Sequence, residues 1–221
     1  TTAYKYLQGI AGNKTTSLVS QMKLTDGSVY SYTYDVLGNI TSVTRNEEDT
    51  PFVSYEYDAL SQLVRENNRD ADKTYTWSYL TDGKIESKNE YAYTLDESLN
   101  TALKTNTYDY LLYRLNSYNG HSITYDAIGN PLVYYDGTEF TWEDGRILTG
   151  ANNSETDVTT SYTYDENGLR TQKWIFGEGI TRVDYFYEGS KLIAVDNYYG
   201  KLSDYMCFLY DDTENLVGLT L

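Results

Sequence analysis

His121 is the only histidine and Cys207 the only cysteine in 221 residues, so a nucleophilic dyad could be assembled only from these two. Neither sits in an activating context. His121 lies in Asn119-Gly120-His121-Ser122, a turn before a strand, and no residue at a recognisable spacing would orient its ring. Cys207 lies in the apolar run Tyr205-Met206-Cys207-Phe208 and reads as a buried small hydrophobe. The carboxylates are the second candidate. Asp35, Asp58, Asp109, Asp126, Asp165 and Asp211 each follow a tyrosine. Two such groups about 5–10 Å apart would suit glycoside hydrolysis, and a cluster would suit Ca²⁺. No Asp-x-Asp-x-Asp-Gly loop is present, however. Each acid also holds the same place in a recurring pattern, where a carboxylate accepts hydrogen bonds from turn amides. Gly177 and Gly179 lack the following Lys-Ser/Thr of a phosphate loop and read as a hairpin turn. The sequence therefore predicts no catalytic residue, no metal site and no cofactor.

The elements that position these acids come from the pattern itself. Tyr32 to Val43 reads YTYDVLGNITSV: alternate aromatics, then turn formers, then a β-branched run, which is a hairpin signal. The repeat positions are Tyr34, Asp35 and Gly38 here, then Tyr57 and Asp58, with Ser61-Gln62 in place of Gly-Asn. Tyr79 and Gly83 follow, and a fourth copy begins at Tyr108-Asp109. Next come Tyr125, Asp126 and Gly129; Trp142 and Gly145; Tyr164, Asp165 and Gly168; Tyr187 and Gly189; and Tyr210 and Asp211. The last aromatics fall at 34, 57, 79, 108, 125, 142, 164, 187 and 210, steps of 23, 22, 29, 17, 17, 22, 23 and 23. A step of 22 or 23 residues holds two strands and two turns. Residues 1–29 form a degenerate opening unit with a turn at Gly12-Asn13 and a type I′ turn at Asp26-Gly27. Residues 89–106 are an irregular insertion with no clear unit. The expected fold is all-β, with about nine tandem antiparallel hairpins adding to one long curved sheet, a single segment over 1–221. The two prolines, Pro51 and Pro131, sit at unit edges, which leaves nearly all ladder donors in place.

Composition agrees. Of 34 aromatics, 26 are Tyr; Tyr suits a ring that is buried while its hydroxyl reaches water or a partner, so the sheet should be thin and half-wet. The formal net charge of −16 disfavours nucleic acid and anionic membrane surfaces as partners. Its simplest use is solubility, with a cationic partner as the alternative. One cysteine excludes an internal disulfide framework and a thiolate zinc cluster. No stretch is long enough to span a bilayer. The opening Thr1-Thr2-Ala3-Tyr4 carries neither initiator Met nor signal peptide, so the chain is expected to be a segment of a longer protein.

Tandem Tyr-x-Tyr-Asp-x-x-Gly-Asn/Arg-Leu/Ile at this spacing resembles the YD repeats of the Rhs and teneurin family, over roughly residues 4–218. The matches at Tyr32–Ile40, Tyr125–Leu132, Phe140–Ile147 and Tyr162–Arg170 are close. The resemblance implies a hairpin strip spiralling into a hollow shell. In bacterial polymorphic toxins, wall-associated toxins and insecticidal toxin complexes that shell encloses a C-terminal effector. Tyr210 to Leu221 resembles the entry to the family's conserved core segment. The self-cleavage motif that normally follows is not matched, since the chain contains no Asp-Pro dipeptide. The expected function is thus a non-catalytic wall segment of a secreted or bacterial cell-surface protein, whose partners are the rest of its own polypeptide and the enclosed effector. Its open sheet edges would favour a homodimer. The alternative is a carbohydrate-binding adhesin module that stacks cell-surface glycans on the tyrosine rows.

Overall fold

The computed structural model describes residues 2–9, 14–46, 48–177 and 180–220; the expected Gly12-Asn13 turn and Gly179 lie outside them. Among the described residues every regular element is a β-strand. The chain forms two compact units, Thr1–Asp109 and Tyr110–Leu221.

The first unit carries β1 (Ala3–Gln8), β2 (Thr15–Lys23), β3 (Val29–Tyr34), β4 (Ile40–Arg45), β5 (Val53–Tyr57), β6 (Leu63–Asn68), β7 (Lys73–Tyr79), β8 (Ile85–Ala92) and most of β9 (Lys104–Leu111). Each pairs antiparallel with the next in chain order. The second unit carries the hairpin of β10 (Arg114–Tyr118) and β11 (His121–Ser122). A ten-stranded sheet follows, again in chain order. It consists of β12 (Thr124–Tyr125), β13 (Pro131–Val133), β14 (Glu139–Glu143), β15 (Ile147–Asn153), β16 (Val158–Tyr164), β17 (Arg170–Phe176), β18 (Ile180–Glu188), β19 (Lys191–Tyr199), β20 (Leu202–Tyr210) and β21 (Leu216–Thr220). The strands are thus divided between two sheets rather than joined in one. The ladder breaks at Ile123, which is buried and donates its amide to Asn116 O at 2.8 Å. The break falls where the repeat step drops to 17 residues and β11 and β12 shrink to two residues each, too short to carry a ladder forward.

The period-2 pattern places side chains as expected. In β7, Tyr75 and Trp77 share a face, with ring centroids 6.1 Å apart. Lys88 Nζ stands 4.6 and 5.2 Å from the two rings. Thr76 and Ser78 take the other face, where they meet Asn89 and Ser87. The apolar interior is small: among the described residues only Val43, Val53, Ile123 and Ala194 are buried hydrophobics. Val43 and Val53 are cross-strand partners.

The irregular insertion is narrower than expected. β8 and β9 absorb its ends and leave 93–103 as a loop with no helical turn. A buried polar network anchors the loop to the face of the first sheet. Arg65, 7% exposed, donates to Asn67 Oδ1 at 2.9 Å, Thr94 O at 3.0 Å and Asp96 O at 2.7 Å. The Thr74 hydroxyl, fully buried, donates to Thr94 O and accepts from Thr94 N, both at 3.0 Å. Nε and both Nη2 hydrogens of the Arg65 guanidinium thus find acceptors, which a charged group shielded from water requires.

Candidate functional site: the turn, bulge and phenol of each hairpin

The repeat positions converge on one local device, beginning with the turn. Asp35 donates its amide to Asn39 O at 2.9 Å, and Gly38 N donates to Asp35 O at 3.2 Å. Asp35 Oδ1 accepts from the amides of Leu37 at 2.9 Å and Asn39 at 2.8 Å, while Oδ2 accepts from Asn39 Nδ2 at 2.8 Å. One carboxylate thereby satisfies amides that the turn leaves without a backbone partner. Asp58, Asp126, Asp165 and Asp211 repeat the two amide contacts at 2.8–3.0 Å. The fourth residue of the turn is left-handed, which glycine adopts without steric cost: Gly38 and Gly129 have φ of 90° and 93°. Ser61 and Glu214 hold the same place at φ 59° and 66°, so the exchange of Gly-Asn for Ser61-Gln62 keeps the turn at the cost of strain.

Neighbouring turns are also linked. Asn39 Nδ2 reaches Ser61 Oγ at 3.0 Å, Gln62 Nε2 reaches Gly83 O at 3.5 Å, and Asn130 Nδ2 reaches Gly145 O at 2.5 Å. Each bond runs from one turn to the left-handed residue of the next.

Beyond the turn lies a feature the sequence reading missed. Eight hairpins between Tyr34 and Tyr210 carry a β-bulge immediately before the repeat aromatic. In the first, Thr33 pairs with Ser42 but Tyr34 with Ile40, so Thr41 is extra. The same one-residue shift precedes Tyr57, Tyr79, Tyr125, Trp142, Tyr164, Tyr187 and Tyr210. The extra residues are Thr41, Val64, Glu86, Leu132, Thr149, Thr171, Ile193 and Val217, six of them β-branched, a type common throughout strands and so no marker of a bulge.

The bulge sets the aromatic's polar tip. Tyr79 OH donates to Leu63 O at 2.7 Å, and Leu63 is the residue paired with the preceding ring, Tyr57. In the second sheet this relation runs unbroken. Trp142 Nε1 donates to Pro131 O, the partner of Tyr125; Tyr164 OH to Leu148 O, the partner of Trp142; Tyr187 OH to Arg170 O, the partner of Tyr164; and Tyr210 OH to Leu192 O, the partner of Tyr187. Tyr34 OH to Val19 O and Tyr125 OH to Leu115 O, both at 2.7 Å, begin the two runs. Tyr57 makes no such bond among the described residues. The accepting carbonyl lies two residues outside the last backbone pair between successive hairpins: the β6–β7 ladder stops at Arg65, the β15–β16 ladder at Gly150, the β17–β18 ladder at Gln172. Successive hairpins are therefore bonded backbone to backbone along one part of their length. At the bulged end an aromatic ring stands between them.

Electrostatics follows the same geometry. Its hydrogen bonds from Asn39 hold Asp35 below the usual carboxylate range. Asp211 is lowered by the Asn215 amide and the Thr213 hydroxyl. In Asp126 desolvation works upward, yet the Asn130 and Ile128 bonds together leave it lowered. Burial raises the phenols of Tyr34, Tyr57, Tyr79, Tyr125 and Tyr187. Cations cover several rings: Arg170 stands 4.3 Å from the Tyr162 ring centroid and Arg114 4.9 Å from that of Tyr125.

Several expectations need correction. Asp26-Gly27 is not a type I′ turn, because only Gly27 has positive φ; Gly27 N bonds to Leu24 O, so the turn starts two residues earlier. Two consecutive left-handed residues occur instead at Asn119-Gly120 and Asp144-Gly145. Gly189 opens a two-residue loop between paired Glu188 and Lys191. Tyr108-Asp109 lies inside β9, and that hairpin turns at Leu112-Tyr113. Cys207 is half-buried opposite Ala194 and Thr220, not fully enclosed. His121 is exposed in β11 and in a different sheet from Cys207, so the two form no dyad. Among the described residues no group of three His, Cys, Asp or Glu is placed to hold a metal ion, and no helix is long and apolar enough to cross a membrane.

Comparison with known proteins agrees with the repeat. The RHS Repeat family pattern matches residues 18–50, from within β2 through the Asp35 turn to β4 and beyond. The tRNA3(Ser)-specific nuclease WapA of Bacillus spizizenii is 30% identical over 181 residues, which are 80% of this chain and 7% of that protein. The fold is similar to part of the Photorhabdus luminescens Tc holotoxin pore, with a TM-score of 0.52 at 13% identity over 96% of this chain and 13% of that one. The chain thus spans only a small part of the length of either relative. The matched repeat at 18–50 and the same turn, bulge and aromatic tip continuing to Tyr210 place the chain in the RHS/YD-repeat family.

Proposed function

We propose that this chain is a non-catalytic wall segment of a bacterial, secreted or surface-exposed RHS protein, and that the wall encloses a C-terminal effector of the same polypeptide. The carrying observation is where the chemistry-bearing groups go. The turn carboxylates accept from their own turn amides, and seven aromatic tips donate to neighbouring backbone. A ring standing at one end of each hairpin junction favours curvature, because bulges raise local twist. On this reading residues 1–221 act as one strip. The terminal strands β1 and β21 leave open edges, and an open edge recruits another strand, so the isolated chain should dimerise. The same observation argues against the glycan-binding reading, since the rings that would stack on sugars are tied into the sheet.

The test uses the longer polypeptide that contains this chain. Its C-terminal region should resist protease while the repeats are intact and become sensitive when they are unfolded. Equal digestion with folded and unfolded repeats would end the enclosure reading. Hydrolase activity of the chain itself, lost on changing one of the turn acids, would end the non-catalytic one.

A further inference from the structure

A cavity of about 510 Å³ opens within the second unit, at the β10–β11 hairpin and the turn that follows β13. That volume suits a small ligand or one extended side chain. Tyr118, Tyr134 and Tyr135 form its aromatic side. The Tyr118 and Tyr135 centroids are 4.5 Å apart and the Tyr134 and Tyr135 centroids 4.7 Å, with planes inclined at 57° and 50°. The rings therefore make a corner, not a flat platform. Asp136 and Glu155 add two carboxylates, and among the lining residues there is no Lys or Arg; His121 and the three phenols are the other ionisable groups. Burial, with Tyr118 and Asp136 nearby, raises the Tyr135 phenol, so it stays neutral. A hydrogen bond from the Thr138 amide lowers Asp136, so it stays charged.

We infer that this corner binds an organic ammonium group, primary or quaternary. Inclined π faces attract a cation from more than one side, and the two carboxylates supply counter-charge. The net charge of −16 enriches cations near the surface. An anion would meet two carboxylates and no fixed cation. Tyr134 to Thr138 form a turn of the same backbone pattern, but none of the three rings or two carboxylates is a bulged aromatic or a turn acid of the repeat, so the inference is independent of the wall reading.

The test is an NMR titration of the full chain, following the Tyr118, Tyr134 and Tyr135 ring signals. Tetramethylammonium and butylamine probe free amines, and a capped lysine amide probes a protein side chain. 3,3-Dimethylbutanol serves as the neutral isostere and methyl glucoside as the sugar. Saturable shifts with the ammonium probes and none with the neutral ones are expected. Tight binding of the lysine amide relative to butylamine would assign the site to a protein partner, and the reverse to a free amine. Glu155→Gln and Tyr135→Leu should each weaken binding by about two- to five-fold. Glu155 sits on an exposed turn held by its backbone amide, which donates to Asn153 Oδ1 at 3.0 Å, so Glu155→Gln keeps the fold even where Tyr135→Leu does not. Equal shifts with the alcohol or the glucoside, no saturation with any ammonium probe at tens of millimolar, or full affinity in Glu155→Gln would overturn the proposal.

Discussion

Replacing Tyr79 by Phe deletes one oxygen and leaves the ring, and so isolates what the phenol contributes. In the native sheet Tyr79 OH donates to Leu63 O at 2.7 Å. That carbonyl lies beyond the last β6–β7 backbone pair, Arg65 with Thr76, so no amide is positioned to replace the phenol. A neutral hydrogen bond contributes about 0.5–1.5 kcal/mol net, and a buried acceptor left unpaired costs about 1–3 kcal/mol. Because the bond is only partly buried, water reaches the carbonyl in part, and we expect about 1–1.5 kcal/mol. Tyr57 provides the internal control. It holds the equivalent repeat position and follows an equivalent bulge, yet makes no such bond among the described residues, so Tyr57→Phe should cost less than about 0.5 kcal/mol. The assay is urea unfolding followed through Trp77, with hydrogen exchange of the β6 and β7 amides to locate the loss, because repeat sheets can open locally. Equal destabilisation by Tyr57→Phe and Tyr79→Phe, or no loss in Tyr79→Phe, would show that the rings act by packing alone and that the bond to the preceding hairpin is incidental.

Three further outcomes follow from the same geometry. Ser61→Gly should stabilise the first unit by about 0.5–1 kcal/mol, since a non-glycine residue in the left-handed region costs about 1–2 kcal/mol and the added chain freedom returns part of that; a fall in the urea midpoint would refute the strain assigned to φ 59°. Stability should be highest in the neutral range and fall at both ends of the pH scale. Asp35, Asp126 and Asp211 are lowered on folding, so their contribution is present above about pH 4 and lost as pH falls through their folded values. Tyr34, Tyr79 and Tyr125 are raised by burial, so their contribution is present below about pH 10 and lost as pH rises past it; a flat profile on thermal melting at either end would count against the corresponding set. Arg65→Met should free residues 96–103 to proteolysis, because Asp96 O loses its 2.7 Å donor, and cost about 2 kcal/mol; unchanged cleavage in the loop would show that Thr74 alone anchors it.

The hairpins were legible because their signals are local. Gly38, Gly129 and Gly168 mark left-handed turn residues, and alternate tyrosines fix the face of each strand. Where those signals were thin the reading slipped. Tyr108-Asp109 looks like a repeat start, but Tyr-Leu-Leu-Tyr follows it with no Gly or Asn, and the chain stays extended to Leu111. The bulges were hidden because the inserted residue can be Thr, Val, Glu, Leu or Ile. The acceptors of the aromatic tips are backbone carbonyls, which every residue has. The Arg65 network had a weak signal that was not used: polar Arg65 and Asn67 at alternate positions of one strand opposite Thr74 and Thr76, a polar face where a two-sided packed sheet would be apolar.

A sheet with so few buried hydrophobics needs another source of order, and the bulge supplies it. Without the extra residue, the last aromatic of a hairpin would pair in register and its side chain would follow the regular pleat. The one-residue shift changes its aim so that hydroxyl or indole N–H meets the preceding hairpin's unpaired carbonyl. That carbonyl belongs to the residue opposite the preceding aromatic, so the position of each ring depends on the one before. Tyr125, Trp142, Tyr164, Tyr187 and Tyr210 form such a sequence, in which the junction geometry is handed from hairpin to hairpin. At Trp142 the indole keeps the donor at 2.7 Å although the ring differs. What the seven bonded positions share is an aromatic body with a polar hydrogen at its end. This accounts for Tyr rather than Phe at 34, 79, 125, 164, 187 and 210, because Phe would fill the gap and leave the carbonyl unpaired.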